Sequence, residues 1–230
     1  MPPETKALSD FQNILSSEMD LQENISGGGL DGYAIRNVVV QRTSFEHRYL
    51  RNVLIHRVAR PNLRGDGLEA TNVQWTESAM RGSRFCECDI DGLNMLNCEA
   101  IECRFDDAIL QNSSIFESTL SNASFVRAKI VKTQFQSSEL YGANFESGFL
   151  AQVSFSDPKM GNASLTRTNF SRAMIIDSSL KGANLHASNF SNAILVRVDL
   201  RGANLVRADF RGAVLIDCNI HPDDKDGAMF

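Results

Sequence analysis

Leu200-Arg201-Gly202-Ala203-Asn204-Leu205-Val206-Arg207-Ala208-Asp209-Phe210 is the stretch that decides how this chain folds. Its large apolar residues Leu200, Leu205 and Phe210 stand five apart, and Ala203 and Ala208 each precede the next large residue by two. The spacing runs outward from there. From Met80 to Ile220 every fifth residue is Leu, Phe, Ile or Met in 28 of 29 cases, Ala100 being the exception. Two residues before each lies a second series of Ala, Ser, Cys, Thr, Gly or Val, broken only by Leu93 and Pro158. Strict internal periodicity fixes an architecture before local propensity is weighed, and it points to a solenoid.

A period of five is neither the 3.6 of a helix nor the 2.0 of a strand. It brings one large residue per unit inward only if the backbone turns a corner in each unit. Four corners return the chain to its start after 20 residues, so residues 20 apart stack. Phe85, Phe105, Phe125 and Phe145 then make one column, Phe170, Phe190 and Phe210 another, and Phe135 and Phe155 begin a third. The narrow square interior admits one large side chain per side, so the second inward residue must be small. Successive coils are parallel strands about 4.8 Å apart, and the in-phase stretch from Ile25 to Ile220 predicts about ten coils, a rod of about 48 Å. Parallel crossovers are right-handed, so a right-handed superhelix is expected.

Leu180-Lys181-Gly182-Ala183-Asn184-Leu185, together with the opening stretch, resembles the pentapeptide repeat family, whose unit reads A-(D/N)-L-X-X. The resemblance covers nearly the whole chain and implies the family's right-handed quadrilateral β-helix, which agrees with the steric argument. The fold class expected is all-β, with the solenoid over residues 25–220, a capping segment over 1–24 and a tail over 221–230. For function a shared fold says little.

Open coil ends invite edge pairing unless covered. Leu8, Phe11, Leu15 and Met19 recur at helical spacing, and Ser9 with Gln12 has the spacing of a capping box, so a short helix over residues 5–20 is expected to cover the first coil. The tail is short and polar, which leaves the last coil less protected and suggests a homodimer joined at that end. Between Arg57 and Ala79 the pattern weakens. Either large and small residues exchange roles, with Trp75 filling space left by Gly65 and Ala70, or Arg60-Pro61-Asn62-Leu63-Arg64-Gly65-Asp66-Gly67 leaves the rod as a loop. Pro and two Gly in eight residues favour the loop. Pro158 is expected to mark a corner.

The residues carry no catalytic signature. Gly27, Gly28 and Gly29 lack the Lys-Ser/Thr of a phosphate loop. His47, His56, His186 and His221 are far apart in sequence and are read as surface residues. Cys88, Cys98, Cys103 and Cys218 sit in the small series and read as reduced, buried thiols. Cys88, Cys98 and Cys103 take inward positions on three different sides of the coil while Cys86, after Phe85, points out, which is poor geometry for zinc. No metal, no cofactor and no enzymatic activity are expected. No apolar run approaches a membrane span, no secretory leader is evident at Met1–Thr5, and a reducing cytoplasm is the expected compartment.

Charge is the remaining signal. The chain carries a net −5. Residues 36–64 hold seven Arg against Glu46, a balance of 7 − 1 = +6, and residues 87–117 hold eight acids against Arg104, a balance of 1 − 8 = −7. Solubility alone demands a charged exterior, but two opposed bands also suit docking. The residues expected to meet a protein partner are Arg60, Arg64 and Asp66 in the loop, and Glu99, Glu102, Asp106 and Asp107 in the acidic band. The function expected is therefore a non-enzymatic interaction scaffold. The alternative is the quinolone-resistance branch of the family, whose members resemble duplex DNA and bind DNA gyrase or topoisomerase IV. Against it, residues 81–220 hold 14 basic and 15 acidic side chains, a net of 14 − 15 = −1. The C-terminal helix that joins those relatives as dimers is also missing. Direct nucleic-acid binding is disfavoured by the overall charge and by few aromatics in the basic band.

Overall fold

The computed structural model describes residues 29–31, 34–36, 44–59, 61–155, 164–221 and 227–230. The expected helix over 5–20, the capping segment 1–24, the Pro158 corner and Arg60 lie outside the described residues. What is described is a four-sided parallel solenoid with strands on every coil. Face one is a ten-stranded parallel sheet running from Gly29–Asp31 to Val214–Ile216. Face two begins as six strands, from Ala34–Arg36 to Gln134–Gln136, and continues as single bridges through Ser154, Ser179, Asp199 and Asn219. Faces three and four are ladders of single bridges, Ala59 to Glu139 and onward to Asn204 on one, Ser44 to Met229 on the other.

The two inward series are buried as the spacing demands. The large series includes Phe125, Leu140, Phe145 and Leu150, and the small series Ala108, Ala123, Ala143 and Ala183, all at 0–1% exposure. The small side chains do more than save space. Some corners close with a backbone bond, such as Ala108 N donating to Phe105 O at 3.2 Å and Ala143 N to Leu140 O at 3.0 Å. At other corners the inward N–H finds a hydroxyl on the next coil: Val58 N donates to Ser78 Oγ, Cys98 N to Ser118 Oγ and Val153 N to Ser178 Oγ, at 3.0–3.1 Å. An inward N–H left without a partner would cost 1–3 kcal/mol, so Ser recurs there for its acceptor as well as its size.

Each corner is turned by one residue in the left-handed region. Such residues recur every five positions from His47 to Gln152 and from Arg167 to Asp217, for example Asn52 at φ 52°, Asp107 at 59° and Gly142 at 66°. The conformation costs a non-glycine residue roughly 1–2 kcal/mol. Coil-to-coil hydrogen bonds hold it in place.

Two sequence expectations change. Residues 61–67 are not a loop. Leu63 and Leu68 are buried at 4% and 2%, Arg64 bridges Ser44 and Arg84, and Gly65 N donates to Arg84 O at 2.7 Å, so the stretch is an ordinary part of its coil. The exchange of large and small holds instead: Val58, Leu63, Leu68 and Val73 are buried, and Trp75 (4% exposed) sits edge-on to Phe85 at 5.1 Å. The second change concerns the columns. Asn144 bridges Asn169 and Phe149–Ala151 pairs with Met174–Ile176, a step of 25 residues instead of 20. The chain also takes ten residues, not five, to pass from Phe155 on face two to Leu165 on face three, so the extra five fall within 156–163. Phe145 therefore stacks on Phe170 (5.1 Å, 11°), and the two expected columns are one. The stack is unbroken from Phe85 to Phe230, the last ring lying on Phe210 at 5.1 Å. Tail residues Met229 and Phe230 thus extend face four past Phe210, with Phe210 N donating to Met229 O at 2.6 Å.

Candidate functional site

With the axis filled by side chains, any binding must use the outer faces. Residues on either side of an inward one point outward, so each coil shows two outward side chains per face. The residues expected to meet a partner fall on several sides of the rod. Arg64, Asp66 and Asp106 belong to face four, Glu99 to face three, and Glu102 and Asp107 to the corners beside face four.

Face four carries a stack of arginines, Arg64, Arg84 and Arg104, bridged backbone to backbone. Asp66 accepts from Arg84 Nε and Nη2 at 3.1 and 3.0 Å and from Cys86 N at 2.9 Å. Asp106, two coils on, makes the same bond to the backbone of the next coil but takes the arginine of its own coil. It is buried, accepts from Arg104 Nε and Nη2 at 3.0 and 2.7 Å and from Val126 N at 3.1 Å, and takes a short hydrogen bond from the Ser124 hydroxyl. Both carboxylates therefore fasten the turn of the following coil, and little of Asp106 is left for a partner. Its neighbour Asp107 is exposed and is gripped by Arg127 Nε and Nη2 at 2.7 and 2.6 Å, which holds its carboxyl below the usual range. Glu102 is exposed and pairs with Arg81 at 3.2 Å.

Glu99 stands differently. It lines a shallow groove of about 400 Å³ along the corner between faces two and three, with Glu77, Asn97, Ile101, Glu117 and Thr119. Arg57 Nε donates to Glu77 at 2.7 Å and draws its carboxyl pKa down. Glu99 and Glu117 are exposed, and neither makes an ion pair among the described residues. The groove is thus acidic and fixed to a rigid ladder.

The cysteines are structural. Cys88, Cys98 and Cys103 are buried, and their thiols donate to Gly65 O, Trp75 O and Met80 O at 2.8, 3.2 and 3.0 Å. Burial pushes the Cys88 and Cys103 thiols up to about 12. They occupy three different corners of the coil. Among the described residues no group of three or more His, Cys, Asp or Glu is placed to hold a metal ion, and no helix is long and apolar enough to cross a membrane.

A feature missed in the sequence lies on face one. In its last four strands, Phe149–Ala151, Met174–Ile176, Ile194–Val196 and Val214–Ile216, every outward residue is apolar. Met174, Ile194, Val214 and Ile216 are 37–49% exposed. The first strands of that face that show side chains present Tyr49 and Arg51, Glu69 and Thr71, Asp89 and Asp91. The apolar pairs flank Leu150, Ile175, Leu195 and Leu215, so the three-residue runs were visible as Met-Ile-Ile, Ile-Leu-Val and Val-Leu-Ile.

The family model for pentapeptide repeats matches residues 108–147, 159–192 and 193–221, with 8 copies. Among solved structures, a pentapeptide repeat protein of the Arabidopsis thaliana thylakoid lumen is 29% identical over 39% of this chain, with a TM-score of 0.33; the match spans 63% of that protein, less than two thirds of it. HetL from the cyanobacterium Nostoc sp. strain PCC 7120, a protein involved in heterocyst differentiation regulation, is 17% identical over 91% of this chain and 92% of its own (TM-score 0.33). QnrB1, a plasmid-mediated fluoroquinolone resistance protein, is 16% identical over 86% and 93% (TM-score 0.37). A search among curated proteins returned no match.

Proposed function

We propose, on the premise that this chain is a pentapeptide repeat protein, that it is a non-enzymatic scaffold that docks a cytoplasmic protein partner through its charged outer faces. The observation that carries the proposal is the acidic groove around Glu99. Glu99 and Glu117 stand on ladders held by bonds such as Glu99 N to Ser78 O (2.9 Å) and Glu117 N to Gln136 O (3.1 Å). They present uncompensated carboxylates without an ordering cost at binding, and preorganisation of this kind converts contact into affinity. The partner such a surface fits carries a basic segment, and attraction between opposite charges speeds its encounter.

The test is capture of a partner from native extract by the immobilised protein, compared with Glu99→Lys/Glu117→Lys. Both positions are exposed, so the variant folds. Loss of the captured protein, and its release from the unaltered chain by salt, support the proposal. Equal capture by both chains moves docking away from the groove. Mimicry of duplex DNA toward gyrase or topoisomerase IV requires a continuous acidic surface, which Arg64, Arg84 and Arg104 interrupt. A supercoiling assay with each enzyme is expected to show no effect of the protein at stoichiometric excess, and inhibition or protection there would establish a topoisomerase as the partner.

A further inference from the structure

We propose that face one of the last four coils is a self-association surface, on which two copies of the chain pack face to face with their rods antiparallel. Two columns define the ribbon. Phe149, Met174, Ile194 and Val214 are in register on one side, and Ala151, Ile176, Val196 and Ile216 on the other. All eight are apolar, whereas the neighbouring faces of the same coils show Asn169, Ser171, Asn189, Ser191 and Asp209 on face four and Ser179, Lys181, Asp199 and Arg201 on face two. An apolar patch confined to one flat side of a rod marks an interaction site, and sheets pack face to face at about 10 Å with interdigitating side chains.

The surface is complementary to itself in one orientation. Place a two-fold axis along the strand direction, midway between Met174–Ile176 and Ile194–Val196. Phe149 then faces the partner's Val214, and Ala151 faces the partner's Ile216, so the largest residue of each column end meets a smaller one. Met174 meets the partner's Ile194, and Ile176 the partner's Val196. At the adjoining corner, Arg197 binds Asp177 of its own chain through Nε and Nη2 at 2.5 and 2.9 Å. The axis lays this pair against the same pair reversed, so that each Asp177 faces the partner's Arg197 and four charges alternate. A parallel arrangement would instead set Asp89 of each copy against the partner's Asp91, and like charges across an interface oppose association. The antiparallel one leaves them beyond the overlap. That overlap is only four coils, about 19 Å at 4.8 Å per coil. It falls below a standard interface, so self-association in the micromolar range (~1–100 µM) is expected.

Sedimentation equilibrium of the full chain from ~5 to ~500 µM brackets that range. The mass is expected to rise from 25.5 kDa toward 51 kDa (2 × 25.5). Ile194→Lys and Met174→Lys, each at an exposed position, are expected to remain monomeric with unchanged circular dichroism. Arg197→Asp weakens association, and adding Asp177→Arg restores it. Oxidative cross-linking of an Ala151→Cys chain to an Ile216→Cys chain reports the antiparallel register. A monomer at every concentration overturns the proposal. So does a dimer indifferent to Ile194→Lys and Met174→Lys but abolished by Phe230→Ser, which would place the contact at the end of the rod.

Discussion

Gly65 lies directly beneath the ring of Phe85: a Cβ at position 65 would stand 2.7 Å from Phe85 Cδ1 and 2.8 Å from Cε1. The ring cannot retreat. Phe105 stacks on its far side at 5.3 Å, and Trp75 meets it edge-on at 5.1 Å. Gly65→Ala is therefore expected to overpack the axis and cost about 1–3 kcal/mol. The substitution tests a steric demand, because the backbone at Gly65 is not in the left-handed region. Gly202 supplies the contrast, with φ +68° and nothing within 4 Å of its Cβ position, so Gly202→Ala carries only the backbone cost of the left-handed region, about 1–2 kcal/mol. Urea unfolding of both variants, with Gly65→Ala/Trp75→Leu as a relief mutant, separates the two mechanisms. Partial recovery in the double variant is the signature of crowding.

The same glycine shows what the sequence disclosed and what it concealed. The five-residue period exposed the square coil because one steric requirement repeats at every corner, and no competing period exists. Gly65, Pro61 and Gly67 read locally as a loop, since turn residues are evidence of turns wherever they stand. But this fold has a turn in every unit, so turn residues cannot distinguish a loop from a regular corner. The extra five residues within 156–163 escaped for a related reason. They preserve the phase of five and break only the period of 20, and the 25-residue gap between Phe145 and Phe170 was the one sign of them. At the site, alternation about the inward Ala100 turns Glu99 outward, whereas the anchoring of Asp106 by Val126 N and the Ser124 hydroxyl depends on residues one coil further along the chain. The apolar ribbon leaves no mark on the charge pattern, because each outward apolar pair flanks an inward Leu or Ile and the three residues together read as one buried run.

Asp106 and Asp107 are adjacent in sequence and opposite in consequence. Asp106→Ala leaves the Val126 N–H and the Ser124 hydroxyl unserved beneath Arg104, and a buried donor stripped of its partner costs about 1–3 kcal/mol. Asp107 and Arg127 are both well exposed, with side chains at 41% and 59%, and exposed pairs are screened by water. Asp107→Ala is expected to leave the unfolding midpoint unmoved. Thermal and urea denaturation of the two single variants check this. A larger loss at Asp107 than at Asp106 would contradict the assignment of Asp106 as the structural carboxylate.

Asp199 and Asp209 are expected to contribute to the acid limb of stability. Each stands two residues before an arginine across an inward Leu or Phe, so both side chains emerge on one face. Arg201 Nε and Nη2 reach Asp199 at 2.9 and 2.7 Å, and Arg211 Nε and Nη2 reach Asp209 at 2.9 and 2.6 Å. These bonds hold both carboxyls below their ordinary 3.8. A group with a depressed folded pKa contributes stability that is present above the unfolded value and lost as pH falls through the folded one. Stability is therefore expected to be flat above pH ~4 and to fall below it. Asp199→Asn/Asp209→Asn should lower stability at neutral pH and shallow that fall. Urea midpoints measured from pH ~7 to ~2 provide the check, and an unchanged acid slope in the double variant would assign the limb to other carboxylates.

The buried thiols provide a direct readout of the filled axis. The thiolate is the reactive form, and burial raises the Cys88 and Cys103 pKa values to about 12 and moves Cys98 in the same direction. Reaction with a thiol reagent at pH ~8 thus meets two obstacles at these residues, a scarce nucleophile and a corner closed by the next coil. Cys86 and Cys218 are only partly buried and lack the second obstacle. In the native protein, mass spectrometry after alkylation is expected to find label on Cys86 and Cys218 first, with Cys88, Cys98 and Cys103 labelled together and only at the rate of unfolding. Because the three occupy different corners, their simultaneous labelling would show that the coils open as one unit. Early labelling of Cys103 alone, whose thiol donates to Met80 O at 3.0 Å, would mean that its corner opens independently of the rod.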